Sequence, residues 1–573
     1  EQKSRFIKGI ICFCALIIIA MTLAGCGDDG DNGKDGKDGQ DGVYIDSPRL
    51  KSGLFLDSAV DGLSYVAENQ TGLTAQGGMF IYEEGGKITF KIGDIVIGSD
   101  IPVKATMTPL DLVPGASDYK NTTVTNILRF LQTIDDDSNP DNGIVIENGI
   151  GNNETLDFSL SEADFAASAE AIIDRIFSNE RDLVSTEDAQ QHFRLTLLNI
   201  PGSTIDAEIR ELLNEKIQTY EIPGVVMVIT TPDGLEWTGR SGVSDIINNT
   251  SLTIGSKFRS GSVTKSFTGM ATAQLVQEGL LNINDSLESW LPGIVPSPTD
   301  EEAASGEYTG YNANNITISD LLHHTSGLFN FTNDMRFLMP YYTAPETQIT
   351  PDELVEWAVS NPPSSYPENP KFHYSNTNYV LLGMIIEKAT GNSWESEIRR
   401  RFIEPLELTD TIVPDTGTAV IPGTYTYGYI DMYEDTGGVF GQENAIVEYS
   451  VLDASFTWSS GNMISTPADL TQWVRAIAEG KLLDTNHQNI IMTDMYPIEN
   501  ASIKYGFGLV ADPVYDIVGH RGQIIGYGNA MQYHKGTHTA IAISANRTFP
   551  GGGNIQNAIL LEALAILLDQ TGA

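Results

Sequence analysis

Ser262 and Lys265 stand three residues apart in Phe258-Arg259-Ser260-Gly261-Ser262-Val263-Thr264-Lys265-Ser266-Phe267. A serine hydroxyl at neutral pH is a weak nucleophile and needs a base within hydrogen-bond reach. Residues three apart on a helix share a face, so Ser-x-x-Lys sets an amine beside the hydroxyl. Phe267, Met270, Ala271, Gln274, Leu275 and Glu278 run on without proline until Gly279, which reads as the helix end. Taken alone, the pair is a weak signal and reads more readily as an ordinary exposed helical turn. Two later motifs raise its value: Tyr374-Ser375-Asn376, and His520-Arg521-Gly522 between two apolar runs.

The order Ser-x-x-Lys, Tyr-x-Asn, [Lys/His]-x-Gly is that of penicillin-recognising serine hydrolases. With "FRSGSVTKSF", "LLHHTSGL", "YSNTNYVLLGMIIEKATG" and "IEPLELTDT" in sequence, residues 204–573 resemble the class C β-lactamase and serine D-alanyl-D-alanine carboxypeptidase family. The His-x-Gly form is that of its Streptomyces-type DD-peptidases. The resemblance implies an α+β fold: an antiparallel sheet with flanking helices plus an all-helical subdomain, with the active site between them. It implies that Ser262 attacks a carbonyl, that Lys265 and Tyr374 share the proton transfers, and that Asn376 hydrogen-bonds the substrate amide. His520 takes the slot of the third-motif lysine, Gly522 admits the substrate, and the N–H groups of Ser262 and Gln523 form the oxyanion hole. Trp458 matches a tryptophan of the carboxypeptidase relative, as a cleft wall or as packing. No cofactor is implied. The relative's carboxylate-binding Arg falls at Val510, after Gly506-Phe507-Gly508-Leu509, and Arg521 is the nearest replacement in sequence. The substrate class is thus a peptidoglycan-type peptide, with an esterase or β-lactamase as the alternative; a surface-anchored, non-catalytic binding protein is a further reading that the intact motifs disfavour.

Other constellations carry less. His323-His324 has the look of a metal pair, but no third ligand is near in sequence and a structural hydrogen bond is the simpler reading. No Gly-x-Ser-x-Gly surrounds Ser262, which argues against an α/β-hydrolase. Asp135, Asp137, Asn139 and Asp141 alternate like calcium ligands, yet Pro140 stands where an EF-hand loop needs glycine and no glutamate closes it. A solvated turn is the reading, and no metal site is assigned.

The elements that must position the motifs follow from periodicity. A helix is expected from about Thr204 to Thr219, then a hairpin of Val225–Thr231 and Leu235–Gly242 across Pro232-Asp233-Gly234. The middle, from Ser262 to about Arg475, is mainly helical. Strands return at Gly506–Leu509, Tyr515–Val518, Ile524–Tyr533 and Thr539–Ser544, before an apolar helix from about Ile555 to Leu568. Residues 44–198 read as a separate β-rich module resembling a small sandwich, with a helix at Asn121–Thr133 and capped helix starts at Ser161 and Ser185. It shows no nucleophile–base constellation and reads as a spacer or adhesion module.

The N-terminus reads as a targeting segment. Lys3, Arg5 and Lys8 precede an apolar run from Ile10 to Leu23, too short for a confident span. Leu23-Ala24-Gly25-Cys26 resembles a bacterial lipobox, which implies a signal peptide at 1–25 and a lipid anchor on Cys26 of an exported, periplasmic or cell-surface lipoprotein. A plain signal peptide with an incidental cysteine is the alternative. In 26–43 glycine recurs every third residue without proline, so a flexible acidic tether is expected rather than a triple helix. Lys+Arg total 33 against Asp+Glu 76, for a net charge of −43, which argues against nucleic-acid partners. The three cysteines, Cys12, Cys14 and Cys26, leave no downstream disulfide framework.

Overall fold

The computed structural model describes residues 50–299, 302, 310–364, 371–442, 445–499, 501–549 and 555–569. The expected signal peptide, the tether and Cys26 lie outside the described residues. Residues from Leu50 onward pack as one unit. Its first part is the expected β-rich module: β1 (Leu50–Phe55), β2 (Ser64–Ala67), β3 (Gln70–Leu73), β4 (Met79–Glu83), β5 (Lys87–Ile92), β6 (Ile95–Pro102) and the short β7 (Thr106–Met107). One sheet runs β3-β2-β5-β6, all antiparallel; in the other, β1 lies between antiparallel β4 and parallel β7. Alternate residues of β4 and β5 are buried, as a two-layer packing requires. Phe55, Phe80 and Phe90 meet between the layers, Phe80 and Phe90 edge to face with centroids 5.3 Å apart. Helices α1 (Thr122–Thr133), α2 (Glu162–Phe177) and α3 (Thr186–Leu198) follow. Asn121, Ser161 and Ser185 cap them through side-chain oxygens that accept first-turn N–H groups.

The second part begins with α4 (Thr204–Thr219), capped by Ser203, whose hydroxyl accepts from Asp206 N–H. Then come β8 (Gly224–Thr230), β9 (Glu236–Asp245), α5 (Thr264–Gln277), α6 (Asn376–Thr390), α7 (Pro467–Ala478), β10 (Lys504–Gly506), β11 (Leu509–Asp512), β12 (Ile517–Ile524), β13 (Tyr527–His534), β14 (Thr539–Ala545) and α8 (Ile555–Leu567). The strands form one antiparallel sheet, β9-β8-β14-β13-β12-β11-β10, extended at its two edges by Thr250–Ser251 and Tyr496–Pro497. β8, Gly-Val-Val-Met-Val-Ile-Thr, is apolar on both faces and lies inside the sheet. Its Val225, Met227 and Ile229 face the layer made by α4 and α8, and Val226 faces the opposite core. That first layer also holds Ala189, Phe193, Leu197 and Leu198 of α3. The β-rich module and the sheet part are therefore joined by a shared apolar core across 199–203.

The strand readings differ from expectation in two places. The expected strand Gly506–Leu509 is instead the end of β10, a turn at Phe507-Gly508 with Phe507 at φ 53°, and the start of β11. The sequence splits the His-x-Gly region between a strand ending at Val518 and one starting at Ile524. The structure instead runs β12 continuously through His520, Arg521 and Gly522, turns at Ile525-Gly526 with Gly526 at φ 86°, and begins β13 at Tyr527. Gly519 and Gly522 weaken the apparent strand propensity, yet both are places where the strand backbone is crowded. A Cβ on Gly519 would lie 2.0 Å from Met531 O, and one on Gly522 would lie 1.9 Å from Ser260 O.

Candidate active site

Ser262 sits in a 3-10 turn, Gly261–Val263, that runs directly into α5. The helix N-terminus favours negative charge developing on its hydroxyl. Gly261 has φ 55°, and a Cβ there would meet Gln523 N at 2.7 Å. Gly261 and Gly522 thus let the nucleophile turn and β12 lie backbone against backbone, which brings the Gln523 N–H beside the Ser262 turn. Helix α5 is held rigidly from below. Phe267 stacks on Trp473 at 3.9 Å, Trp473 Nε1 donates to Ser266 Oγ, and Trp394 Nε1 donates to Thr268 Oγ1. A Cβ on Gly508, in the β10–β11 turn, would lie 2.2 Å from Lys265 O.

Lys265 is fully buried. Its Nζ lies 3.1 Å from Ser262 Oγ, 2.5 Å from Asn376 Oδ1 and 2.8 Å from Ser460 O. Burial holds its ammonium well below the usual lysine range. A neutral amine has two N–H bonds and one lone pair. The amide oxygen of Asn376 and the carbonyl of Ser460 accept only, so they take the two hydrogens and the lone pair is left facing the Ser262 hydroxyl. This arrangement makes Lys265 a base for Ser262.

Tyr374 completes the first circle. Its ring lies 4.9 Å from Lys265 Nζ, and its phenol is near enough to the Ser262 side chain to interact with it. Burial pushes the phenol up, against the pull of Ser262 and of the Arg521 charge, so it stays protonated at neutral pH. Behind it, His520 Nδ1 donates to Arg521 O at 2.5 Å, leaving Nε2 to accept from the Tyr505 hydroxyl at 3.3 Å. Burial, reinforced by Lys265, takes His520 down to about 3. The third-motif residue is thus a neutral imidazole.

The cleft has two lobes that share Ser262, Tyr374 and Gln523. One, about 430 Å³, is walled by Phe372, Ile498, Ile503, Val510, His520 and Arg521. The other, about 480 Å³, holds Asn376, Asn330, Thr332, Tyr342, Asp435 and Ser460. The structure thereby brings together Ser262, Lys265, Tyr374, Asn376, His520, Arg521, Gly522 and Gln523. Trp458 lines neither lobe, so of its two readings, cleft wall or packing, the structure supports packing and removes it from the substrate-binding set. Its indole is buried, packs 5.8 Å from Trp394, and donates Nε1 to Glu395 Oε1 at 2.7 Å. The turn it occupies, with Trp458 at φ 34°, is what aims Ser460 O at Lys265.

Several contributors had no signal in the motifs. Ser460 O is a main-chain group. Asn330 Oδ1 accepts from Asn376 N–H at 3.0 Å and Thr332 Oγ1 accepts from Asn376 Nδ2 at 2.9 Å, fixing the amide's orientation. His324 belongs to the "HTSGL" string. Its Nδ1 accepts from Ser375 N–H and Asn378 Nδ2, so its proton is on the buried Nε2, among the rings of Tyr374, Tyr379 and Tyr505. His323 bonds Ser319 O and Asp494 O. Both histidines are structural, as the sequence reading held.

The β-rich module also departs from the sequence reading, which saw no nucleophile–base constellation there. His192 Nε2 lies 3.1 Å from Ser58 Oγ, and its Nδ1 lies 3.2 Å from Asp141 Oδ1. The three residues are too far apart in sequence for a motif to show. The space beside Ser58 is about 10 Å³, room for a single water at most. Ser58 N–H is already spent on Thr196 Oγ1. The trio links parts of the fold: His192 and Asp141 also border a cavity of about 320 Å³, but Ser58 does not line it. Asp135 and Asp137 accept from Asn139 N–H, Val145 N–H and Asn142 Nδ2, the pattern of a self-satisfied turn.

Comparison with known proteins agrees with this geometry. Residues 208–565 match the β-lactamase family. Penicillin-binding protein 4* of Bacillus subtilis is 28% identical over 328 residues, 56% of this chain; the chain spans 66% of that relative's length, just under two thirds. The crystal structure of a D-stereospecific amidohydrolase from Streptomyces sp. superposes with TM-score 0.54 at 29% identity, over 62% of this chain and 97% of that one. The D-amino acid amidase of Ochrobactrum anthropi SV3 in complex with D-phenylalanine shares the fold, with TM-score 0.54 at 23% identity, over 64% of this chain and 98% of that one. The chain belongs to the β-lactamase family of serine hydrolases.

Proposed function

We propose that the protein hydrolyses amide bonds next to D-residues in peptidoglycan-type peptides, in the manner of a D-alanyl-D-alanine carboxypeptidase. The observation that carries this reading is the Lys265 lone pair facing Ser262 Oγ beside a protonated Tyr374. The Ser262 proton passes to Lys265 Nζ as Oγ bonds the substrate carbonyl carbon. The developing oxyanion is met by the N–H groups of Ser262 and Gln523. As the C–N bond breaks, the Tyr374 phenol protonates the departing nitrogen and takes a proton back from the Lys265 ammonium. Water then repeats the sequence on the acyl-enzyme. The lobe containing Asn376 takes the acyl part, and the lobe containing His520 takes the leaving group.

A specific observation favours a second reading. The leaving-group lobe is walled by Phe372, Ile498, Ile503 and Val510, and this apolar lining suits an uncharged amide or ester leaving group. A panel of D-Ala-D-Ala peptides, D-amino acid amides, p-nitrophenyl esters and a chromogenic cephalosporin separates the two. Ser262→Ala should abolish labelling by a fluorescent penicillin or a fluorophosphonate. Lys265→Ala should slow acylation about 10²–10⁴-fold. Undiminished labelling in Ser262→Ala would refute the mechanism. We also propose that the protein is an exported lipoprotein anchored through Cys26, supported by the basic, apolar, Leu-Ala-Gly-Cys succession.

A further inference from the structure

The mechanism above does not use Asp435, yet this carboxylate lines the same lobe as Ser262 and Asn376. Its Oδ2 is buried and makes no hydrogen bond among the described residues. A buried carboxylate oxygen without a donor is costly unless the carboxyl is protonated or a donor moves in beside it. The cation whose field reaches it is Arg547, but Arg547 Nη1 is committed to the carbonyls of Tyr220 and Glu221. Burial, with repulsion from Asp431 and Glu434, pushes the Asp435 carboxyl up to about 7 despite Arg547. An incoming cation would pull it back to the ionised form. The surrounding wall suits a cation, since Tyr342, Phe456 and Phe549 line the same lobe and aromatic faces attract ammonium groups.

We propose that Asp435 is the anchor for a primary ammonium group on the acyl half of the substrate. This rests on the proposed hydrolase reading, which assigns the Asn376 lobe to the acyl part. The ammonium has two possible sources. It is the α-amino group of a short D-aminoacyl substrate, or the side-chain amine of a diamino residue further upstream in a peptide.

Two substrate pairs separate these sources. The first is D-alanine p-nitroanilide against its N-acetyl form. The second is Nα-acetyl-L-lysyl-D-alanyl-D-alanine against its Nα,Nε-diacetyl form. The parent protein should prefer the free-amine member of one pair by about ten- to a hundredfold in kcat/KM, the range for a charge-assisted hydrogen bond. Preference in the first pair identifies the α-ammonium, and preference in the second identifies the side chain. Asp435→Asn should erase that preference and leave the acetylated member within about twofold, a control that also excludes a folding defect. No preference in either pair, or an Asp435→Asn variant that slows both members alike, overturns the assignment. Fluorophosphonate labelling of Ser262 is read in parallel. If the parent is not labelled, the hydrolase reading fails and this one with it; labelling without an ammonium preference removes Asp435 alone.

Discussion

Replacing Asn376 by aspartate tests whether the Lys265 lone pair is the base. The change is isosteric and puts a carboxylate oxygen where the amide oxygen now lies, 2.5 Å from Nζ. At that distance the charge–charge attraction is about 1.7 kcal/mol in a water-like dielectric and about 7 kcal/mol at an effective dielectric of ~20. One pKa unit is about 1.4 kcal/mol, so Lys265 rises by roughly one to five units, and neighbouring opposite charges typically give about one to three. Burial starts Lys265 well below its usual range, and the wild-type amine is neutral above its depressed pKa. The sign is therefore fixed. The acid limb of kcat/KM, which reports deprotonation of the free enzyme's base, moves to higher pH by about one to three units. Activity on that limb falls by about ten- to a thousandfold and recovers on raising the pH. The same holds if the proton stays on the introduced carboxyl group, because its O–H would then donate to the amine and occupy the lone pair. The assay is the pH profile of ester hydrolysis, or of acylation by a fluorescent penicillin, with melting temperature as the control. An acid limb that stays in place, or moves down, would show that Lys265 is not the base. Stability follows the same linkage in the wild type: with its folded pKa depressed, Lys265 is protonated more readily in the unfolded chain, so its contribution falls as pH drops from about 10.4 toward the folded value.

Gly522→Ala should keep the fold and lose about a hundredfold in acylation rate, because a Cβ 1.9 Å from Ser260 O forces β12 off the nucleophile turn and small misplacements cost that much; unchanged burst kinetics would contradict the close approach. Arg521→Ala should raise KM for D-Ala-D-Ala peptides about ten- to a hundredfold and leave neutral p-nitrophenyl esters nearly unchanged, since Arg521 lines the leaving-group lobe together with Val510; equal effects on both would show that it does not read a carboxylate. Cys26→Ser should release the protein from the membrane fraction, and membrane association that survives the change would refute the lipid anchor.

The chemistry was legible because it is carried by side chains at short, ordered spacings. Ser262 and Lys265 are one helical turn apart, and Tyr374 and Asn376 flank the start of one helix, so local sequence alone set their relations. Helix starts were equally readable, since Ser161 and Ser185 announce themselves through the first-turn N–H groups they accept. What escaped is whatever depends on long-range juxtaposition or on the main chain. Ser460 offers Lys265 a carbonyl, and any residue type has one, so position 460 carries no signature. Ser58, Asp141 and His192 meet across 134 residues of chain. Trp458 was ambiguous because aromatic side chains wall clefts and fill cores alike; Glu395, which takes its indole N–H, decided for the core. Gly519 and Gly522 argued against a strand by propensity, although they are where the strand must pass closest to other backbone. Asp435 escaped for a further reason. In a chain with 76 acidic residues one aspartate is inconspicuous, and only the absence of a donor to its Oδ2 among the described residues, within a lobe shared with Ser262, sets it apart. The sequence thus reports which bond-making groups are present. Which substrate they meet depends on cleft walls assembled from segments hundreds of residues apart, so activity on amine-bearing and acetylated pairs will say more about specificity than any motif.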